Sequence, residues 1–153
     1  MNTKTLKAIS VVASLLAGMG TGSPALATST GVQHLGTLIK IDAWTFRCPT
    51  THPWGRATVQ DNLIPNEPLI LLQVVLGKTG FASNQKTDTN PFPTGEGGNP
   101  SAPAIVNGVA GLYVAVFKKT SPSPNAESYT GDLYCVNSSN SRFNPVITQQ
   151  INQ

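Results

Sequence analysis

The chain has 153 residues, 11% of them charged, with a formal net charge of +3 and a pI near 9.0. Two of those positive charges, Lys4 and Lys7, sit in an N-terminal leader; beyond Ala27 eight basic residues meet seven acidic ones, and Lys118–Lys119 is the only adjacent pair of cations. No basic cluster is left to recruit nucleic acid, and no later apolar run approaches the ~18 residues of a spanning helix, so neither a nucleic-acid partner nor a membrane span is expected.

Residues 1–27 read as a signal peptide. Lys4 and Lys7 precede a short apolar run, "AISVVASLLAG" (8–18), and "ALA" (25–27) supplies a small-x-small cleavage pattern. Cleavage after Ala27 would place the protein in the periplasm or outside the cell. No cysteine follows the apolar run, so a lipid anchor is not expected. The remaining residues, 28–153, are enough for one domain that buries roughly two thirds of its unfolded surface. Of these 126 residues, 41 are Ser, Thr, Asn or Gln. Neutral polar side chains in that abundance suit an exported β-rich surface.

The first elements lie in "GVQHLGTLIKI" (31–41) and "DAWTFRC" (42–48). Leu35, Ile39 and Ile41 share one parity, and Trp44 and Phe46 the other, so a bulge or a bend between two strands is expected near Asp42. In a strand, Trp44, Phe46 and Cys48 face a core while Thr45 and Arg47 face out. "SYTGDLYC" (128–135) repeats the device, with Tyr129, Gly131, Leu133 and Cys135 inward. The two cysteines are the only ones in the chain, and a leader implies an oxidising compartment, so a Cys48–Cys135 disulfide is the economical reading. It would close a loop of 87 residues, worth about 4.5 kcal/mol on the chain-entropy model. The rival readings fit less well. A redox pair normally shows C-x-x-C spacing, zinc needs two further ligands, and His34 and His52 show no ligand spacing. A blue-copper site wants an axial methionine, and both methionines lie in the leader. No metal and no cofactor is expected.

"CPTTHPWGR" (48–56) reads as a loop, "RATVQD" (56–61) as a strand with Ala57 and Val59 inward, and "NLIPNEP" (62–68) as a turn. "LILLQVVL" (69–76) is the most apolar run. Ile70, Leu72, Val74 and Leu76 form a core row, which leaves Leu69, Leu71 and Val75 on the outer face beside Gln73. Residues 77–103, centred on "NPFPTGEGGNPSAP", read as irregular. "AIVNGVAGLYVAVFKK" (104–119) gives a short strand, a turn at Asn107–Gly108 and a longer strand from Gly111. A loop over 120–127 follows, and after Cys135 an edge strand through Val146, Ile147 and Ile151. About seven to nine short strands with Pro/Gly-rich connections and one disulfide point to a single antiparallel β-sandwich.

The order "DAWTFRC … ATVQD … PLILLQVVLGKTG … GLYVAVFKK … SYTGDLYC" resembles bacterial pre-peptidase C-terminal-type domains and their small secreted relatives. It carries Asp42, Trp44 and Phe46 of an opening motif, then Gly111, Tyr113 and Val116, then Tyr129 and Gly131. The resemblance spans roughly residues 40–136. It implies a jelly-roll-like sandwich that serves as a non-catalytic accessory or binding module. Such domains accompany a secreted hydrolase, and this chain has no protease domain.

Candidate sites are few. Asp42, Asp61, Glu67, Asp88, Glu96, Glu127 and Asp132 are scattered, mostly at turns, where acids are ordinarily solvent-facing, so no glycosidase-type carboxylate pair is expected. No Gly-x-Ser-x-Gly accompanies the histidines, and "GEGG" (95–98) opens no helix. His52, Trp54 and Arg56 share one stretch, where Trp54 either stacks on a sugar or other planar ligand or caps the open end of the sandwich. Phe92, between two prolines, is a binding lid or a plug. Leu69, Leu71 and Val75 form an apolar outer row to be covered by residues 77–103, by the tail, or by a partner chain in a homo-oligomer. Asn137-Ser138-Ser139 fits a glycosylation acceptor. The functional expectation is an exported, non-enzymatic binding or accessory module for a glycan, envelope component or protein. The alternative is a self-assembling surface or matrix subunit, followed by a small secreted hydrolase.

Overall fold

The computed structural model describes residues 28–37, 40–63, 71–89, 92–93, 99–122 and 125–152. The leader lies outside them. Among the described residues there are eleven strands and no helix. They are β1 (Thr28–Leu35), β2 (Ile41–Cys48), β3 (Trp54–Leu63), β4 (Leu72–Lys78), β5 (Phe81–Thr87), β6 (Phe92–Pro93), β7 (Ala104–Val106), β8 (Gly111–Lys119), β9 (Glu127–Val136), β10 (Arg142–Phe143) and β11 (Ile147–Ile151).

Two sheets stack on one core. The first runs β1-β9-β3, with β6 and β7 on the far side of β3 and β10 beside β9; the second runs β11-β2-β8-β4-β5. All pairs are antiparallel except the two-residue β3–β6 contact. The pairings β1–β9, β2–β8, β3–β7 and β4–β5 are nested. The chain is thus a long double ribbon folded into two sheets, the connectivity of a jelly roll.

The alternating patterns act as expected from their parity. Trp44, Phe46, Ala57, Val59, Leu72, Val74, Leu76, Tyr113, Ala115, Phe117, Tyr129 and Leu133 all point into the core. Two inward glycines of the first sheet let aromatic rings of β8 approach. A Cβ on Gly55 would lie 2.5 Å from Tyr113 Cδ1, and one on Gly131 would collide with the Phe117 ring. Phe117 in turn stacks on Tyr129 with ring centroids 4.7 Å apart.

Cys48 and Cys135 are bonded, with Cα atoms 5.6 Å apart. Since β2 and β9 belong to different sheets, the bridge staples the sandwich across its thickness. A second cross-sheet link is polar. The Trp44 indole N–H donates to the Tyr129 hydroxyl (3.2 Å), which donates to Asp42 Oδ2 (2.8 Å). All three side chains are buried, so each group needs its partner.

Four boundaries differ from the sequence reading. Trp54–Arg56 begin β3 rather than ending a loop, because Gly55 can sit against Tyr113 only if the backbone there is extended and in register with Cys135. Asn62 and Leu63 extend the same strand. The supposedly irregular 77–103 stretch supplies β5, turned on Gly80 at φ 81°, and then covers the open edge of β3. Along that edge β7 pairs with Gly55–Ala57, Ser101 exchanges backbone and side-chain bonds with Val59, Asp88 Oδ2 accepts the Asp61 N–H (2.8 Å), and β6 reaches Asn62 and Leu63. Proline and glycine hid this from the sequence because the cover comes in pieces too short for a strand pattern. In the tail, β11 begins at Ile147; Val146 stands outside it, 88% exposed.

Candidate functional site

The sandwich has two unlike ends. One, near the disulfide, gathers the 49–53 loop, the 107–110 loop and the β9–β10 turn. Tyr113 organises it: its hydroxyl lies 2.6 Å from Pro53 O and 3.2 Å from Val109 O, tying two loops to the core ring. His52 N–H donates to Pro49 O (3.1 Å) to close the first loop. Asn137 Oδ1 accepts the N–H groups of Ser139 and Ser141 to shape the turn, with Asn140 at φ 57°. Asn137, the glycosylation-pattern residue, is therefore a turn organiser. His52 Nε2 lies 3.4 Å from Ser141 Oγ and its ring stacks on Phe143 at 5.8 Å, so the two loops meet at a His–Phe lip.

Beside that lip lies the outer face of the first sheet. Gly55 faces in, so Trp54 and Arg56 face out. Trp54 and Arg142 both pair with Val136, forming one row across three strands; Arg56 pairs with Tyr134 in the next. The Arg142 guanidinium sits 3.7 Å from the Tyr134 ring centroid, and that of Arg56 lies 6.0 Å from the Trp54 ring. Arg56 Nη1 donates to Gly55 O (2.9 Å). Burial pulls its guanidinium below the usual value, opposed by Tyr134 and Tyr113, yet an arginine stays charged under such conditions. Among the described residues neither Arg56 nor Arg142 has a carboxylate partner within 4 Å. Two cations therefore flank one tyrosine, Arg142 exposed and Arg56, like Tyr134, only 8% exposed.

Trp54 and Arg56 lie on a strand face, and His52 lies in the loop at its rim. Trp54 is half-buried on that face. Phe92 is not part of this group. Its backbone pairs with Asn62, eight residues along β3 from Trp54 and so ~26 Å away; its side chain lies outside the described residues. Sequence reasoning missed Tyr134, Arg142 and Phe143. The outward parity of "SYTGDLYC" was a signal for Tyr134; no pattern flagged the two-residue β10.

The outer face of the second sheet is apolar. Val75 is half-buried between Val116 and Gln85, Leu71 is half-buried ahead of β4, and Leu69 lies outside the described residues. The face continues into Leu112 and Val114, which are 49% and 38% exposed. Neither β5 nor β11 covers it; both extend its edges.

The other end of the sandwich holds acids. Asp42, Asp61, Asp88 and Glu127 are all buried, against the expectation that the acids face solvent. Among the described residues neither Asp61 carboxylate oxygen makes a well-formed hydrogen bond. Burial first, then the charges of Glu127 and Asp88, push its carboxyl up to about 7, while the backbone amide of Leu72 pulls the other way. Among the described residues no three His, Cys, Asp or Glu side chains are grouped to hold a metal ion, and no helix is long and apolar enough to cross a membrane. The chain matches no family model, no curated protein and no solved structure.

Proposed function

We propose that this protein is an exported, non-enzymatic binding module that contacts an extracytoplasmic ligand through the outer face carrying Trp54, Arg56, Tyr134 and Arg142. The observation that supports it is the pair of guanidinium groups held against aromatic rings on one sheet face with no carboxylate partner among the described residues. Arginine on aromatic faces recurs at binding surfaces because the ring fixes the group without consuming its N–H donors. Export rests on the leader, with cleavage after Ala27, and agrees with the disulfide, which persists in oxidising compartments. The jelly-roll connectivity agrees with the resemblance to pre-peptidase C-terminal-type domains, whose accessory role is of the same kind.

The test combines two measurements on the exported protein. Sedimentation with an insoluble envelope and polysaccharide panel should retain the wild type and release Trp54→Ala. A panel of ester, peptide and glycan substrates should show no turnover. Turnover abolished by His52→Ala would replace this reading with a hydrolase, and retention unchanged in Trp54→Ala would remove the site.

A second reading, self-assembly, rests on the exposed Leu112 and Val114 beside half-buried Val75 and Val116. An apolar sheet face of this kind marks a contact surface. A mass by light scattering that rises with concentration, and falls to the monomer in Val114→Lys, would favour it; a strict monomer removes it.

A further inference from the structure

The formula of the chain hides how its charges are arranged. Of the acidic residues, Asp42, Asp61, Asp88 and Glu127 are buried, and Asp132 alone among the described acids reaches the surface. Lys40, Arg47, Lys78, Lys86, Lys118 and Arg142 are half-buried or exposed. Even with Glu67 and Glu96, which lie outside the described residues, counted at the surface, six cations face three acids. Folding thus gives a nearly neutral polypeptide a cationic surface spread over both sheets, with Arg47, Lys78, Lys86 and Lys118 on the second and Arg142 on the first, and the summed field favours an anionic partner.

Resting on the binding-module reading, we infer that the ligand is an acidic polysaccharide. A uronate carboxylate meets the exposed Arg142 and the apolar C–H face of a sugar ring lies on Trp54, while Arg56, 8% exposed, adds its positive charge from within the face. The row Trp54–Val136–Arg142 crosses adjacent strands, which are ~4.8 Å apart. Its two ends therefore lie about two strand spacings apart, a span suited to one or two sugar units. Tyr134 holds Arg142 at 3.7 Å from its ring centroid, pre-setting a fork that matches a carboxylate bidentately. Arg56 is anchored by its one bond to Gly55 O and adds a second positive charge across the β3–β9 pair. A uronate joins a planar anion to an apolar ring face, which is the combination this row offers. A nucleic-acid strand fits less well, because it needs cations tracking successive phosphates and several free stacking rings. Here Tyr134 is already covered by Arg142, and His52 and Phe143 stack on each other.

The experiment uses the exported, oxidised protein and measures affinity electrophoresis in gels containing polygalacturonate, its methyl ester, neutral dextran or single-stranded DNA. The expected result is retardation by polygalacturonate alone, weakened at least about tenfold in Arg142→Ala and in Trp54→Ala, with melting temperatures unchanged. Arg142→Lys should not restore it, because a point charge lacks the planar fork. Retardation by the ester or dextran equal to that by the acid, lost in Trp54→Ala but kept in Arg142→Ala, would overturn the ligand class and leave the binding module standing. Tighter retardation by DNA, lost in Arg142→Ala, would overturn the class in favour of phosphate. No retardation by any of the four polymers would overturn the ligand class as well, and the sedimentation experiment then decides separately whether Trp54 belongs to a binding face at all.

Discussion

Asp61→Asn keeps the shape of a buried side chain and removes its charge. In the folded protein the Asp61 carboxyl is pushed up to about 7, chiefly by burial. In the unfolded chain an aspartate titrates near ~3.9. Between roughly pH 4 and 7 the native state therefore holds a proton that the unfolded state has released. Stability from this group is present at low pH, falls as pH rises through that window, and levels off above about 7. A gap of about three pH units at ~1.4 kcal/mol each gives at most ~4 kcal/mol, and local relaxation lowers the working range to ~2–4 kcal/mol. Urea denaturation followed by tryptophan fluorescence at pH 4, 6 and 8 reads the difference. At pH 8 Asp61→Asn should be the more stable protein by that amount, and at pH 4 the two should nearly coincide. A wild type at least as stable as the variant at pH 8 would refute the claim that this carboxyl is buried without a partner.

Two further outcomes follow from the cross-sheet links. Tyr129→Phe removes the hydroxyl between the Trp44 indole and Asp42, and two buried groups lose a partner. Thermal unfolding should show a loss of about 2–4 kcal/mol, with a changed near-ultraviolet signal from Trp44. The Cys48→Ala/Cys135→Ala variant should lose about 3–5 kcal/mol in denaturant titrations and keep its far-ultraviolet spectrum, since the core is built from side chains the bridge does not supply.

Parity made much of this fold readable. Alternation alone places Trp44, Phe46, Tyr129 and Leu133, and the disulfide follows from two inward cysteines behind a segment that reads as a leader. Parity says nothing about which sheet a strand joins, so only the fold revealed that the bridge crosses the sandwich. Alternation also hides exceptions to polarity. Asp42 and Asp61 share parity with core residues although their charge argues for solvent; the Tyr129 hydroxyl holds Asp42, whereas the Asp61 carboxyl is buried with no well-formed hydrogen bond among the described residues. The candidate site was half legible. Trp54 and Arg56 were flagged for their chemistry, whereas Tyr134 and Arg142 arrive from 80 or so residues away through the pairing of β3, β9 and β10. A linear pattern carries no trace of such a meeting. Gly55 and Gly131 were equally quiet, because a missing side chain signals nothing until a ring is found in its place.

The nested double ribbon also bears on how the molecule forms. Its innermost pair, β4–β5, is joined by the short turn around Gly80, while β1 and β9 lie about a hundred residues apart. Loop-closure entropy grows with the chain enclosed, so the ribbon is cheapest to start at its middle and zip toward its ends. Pulse-labelled hydrogen exchange during refolding should then protect amides of Val74 and Leu76 before those of Tyr129 and Leu133, with non-local pairing setting a slow pace. Sulfur chemistry between β2 and β9 would come last, acting as a latch on a closure already made.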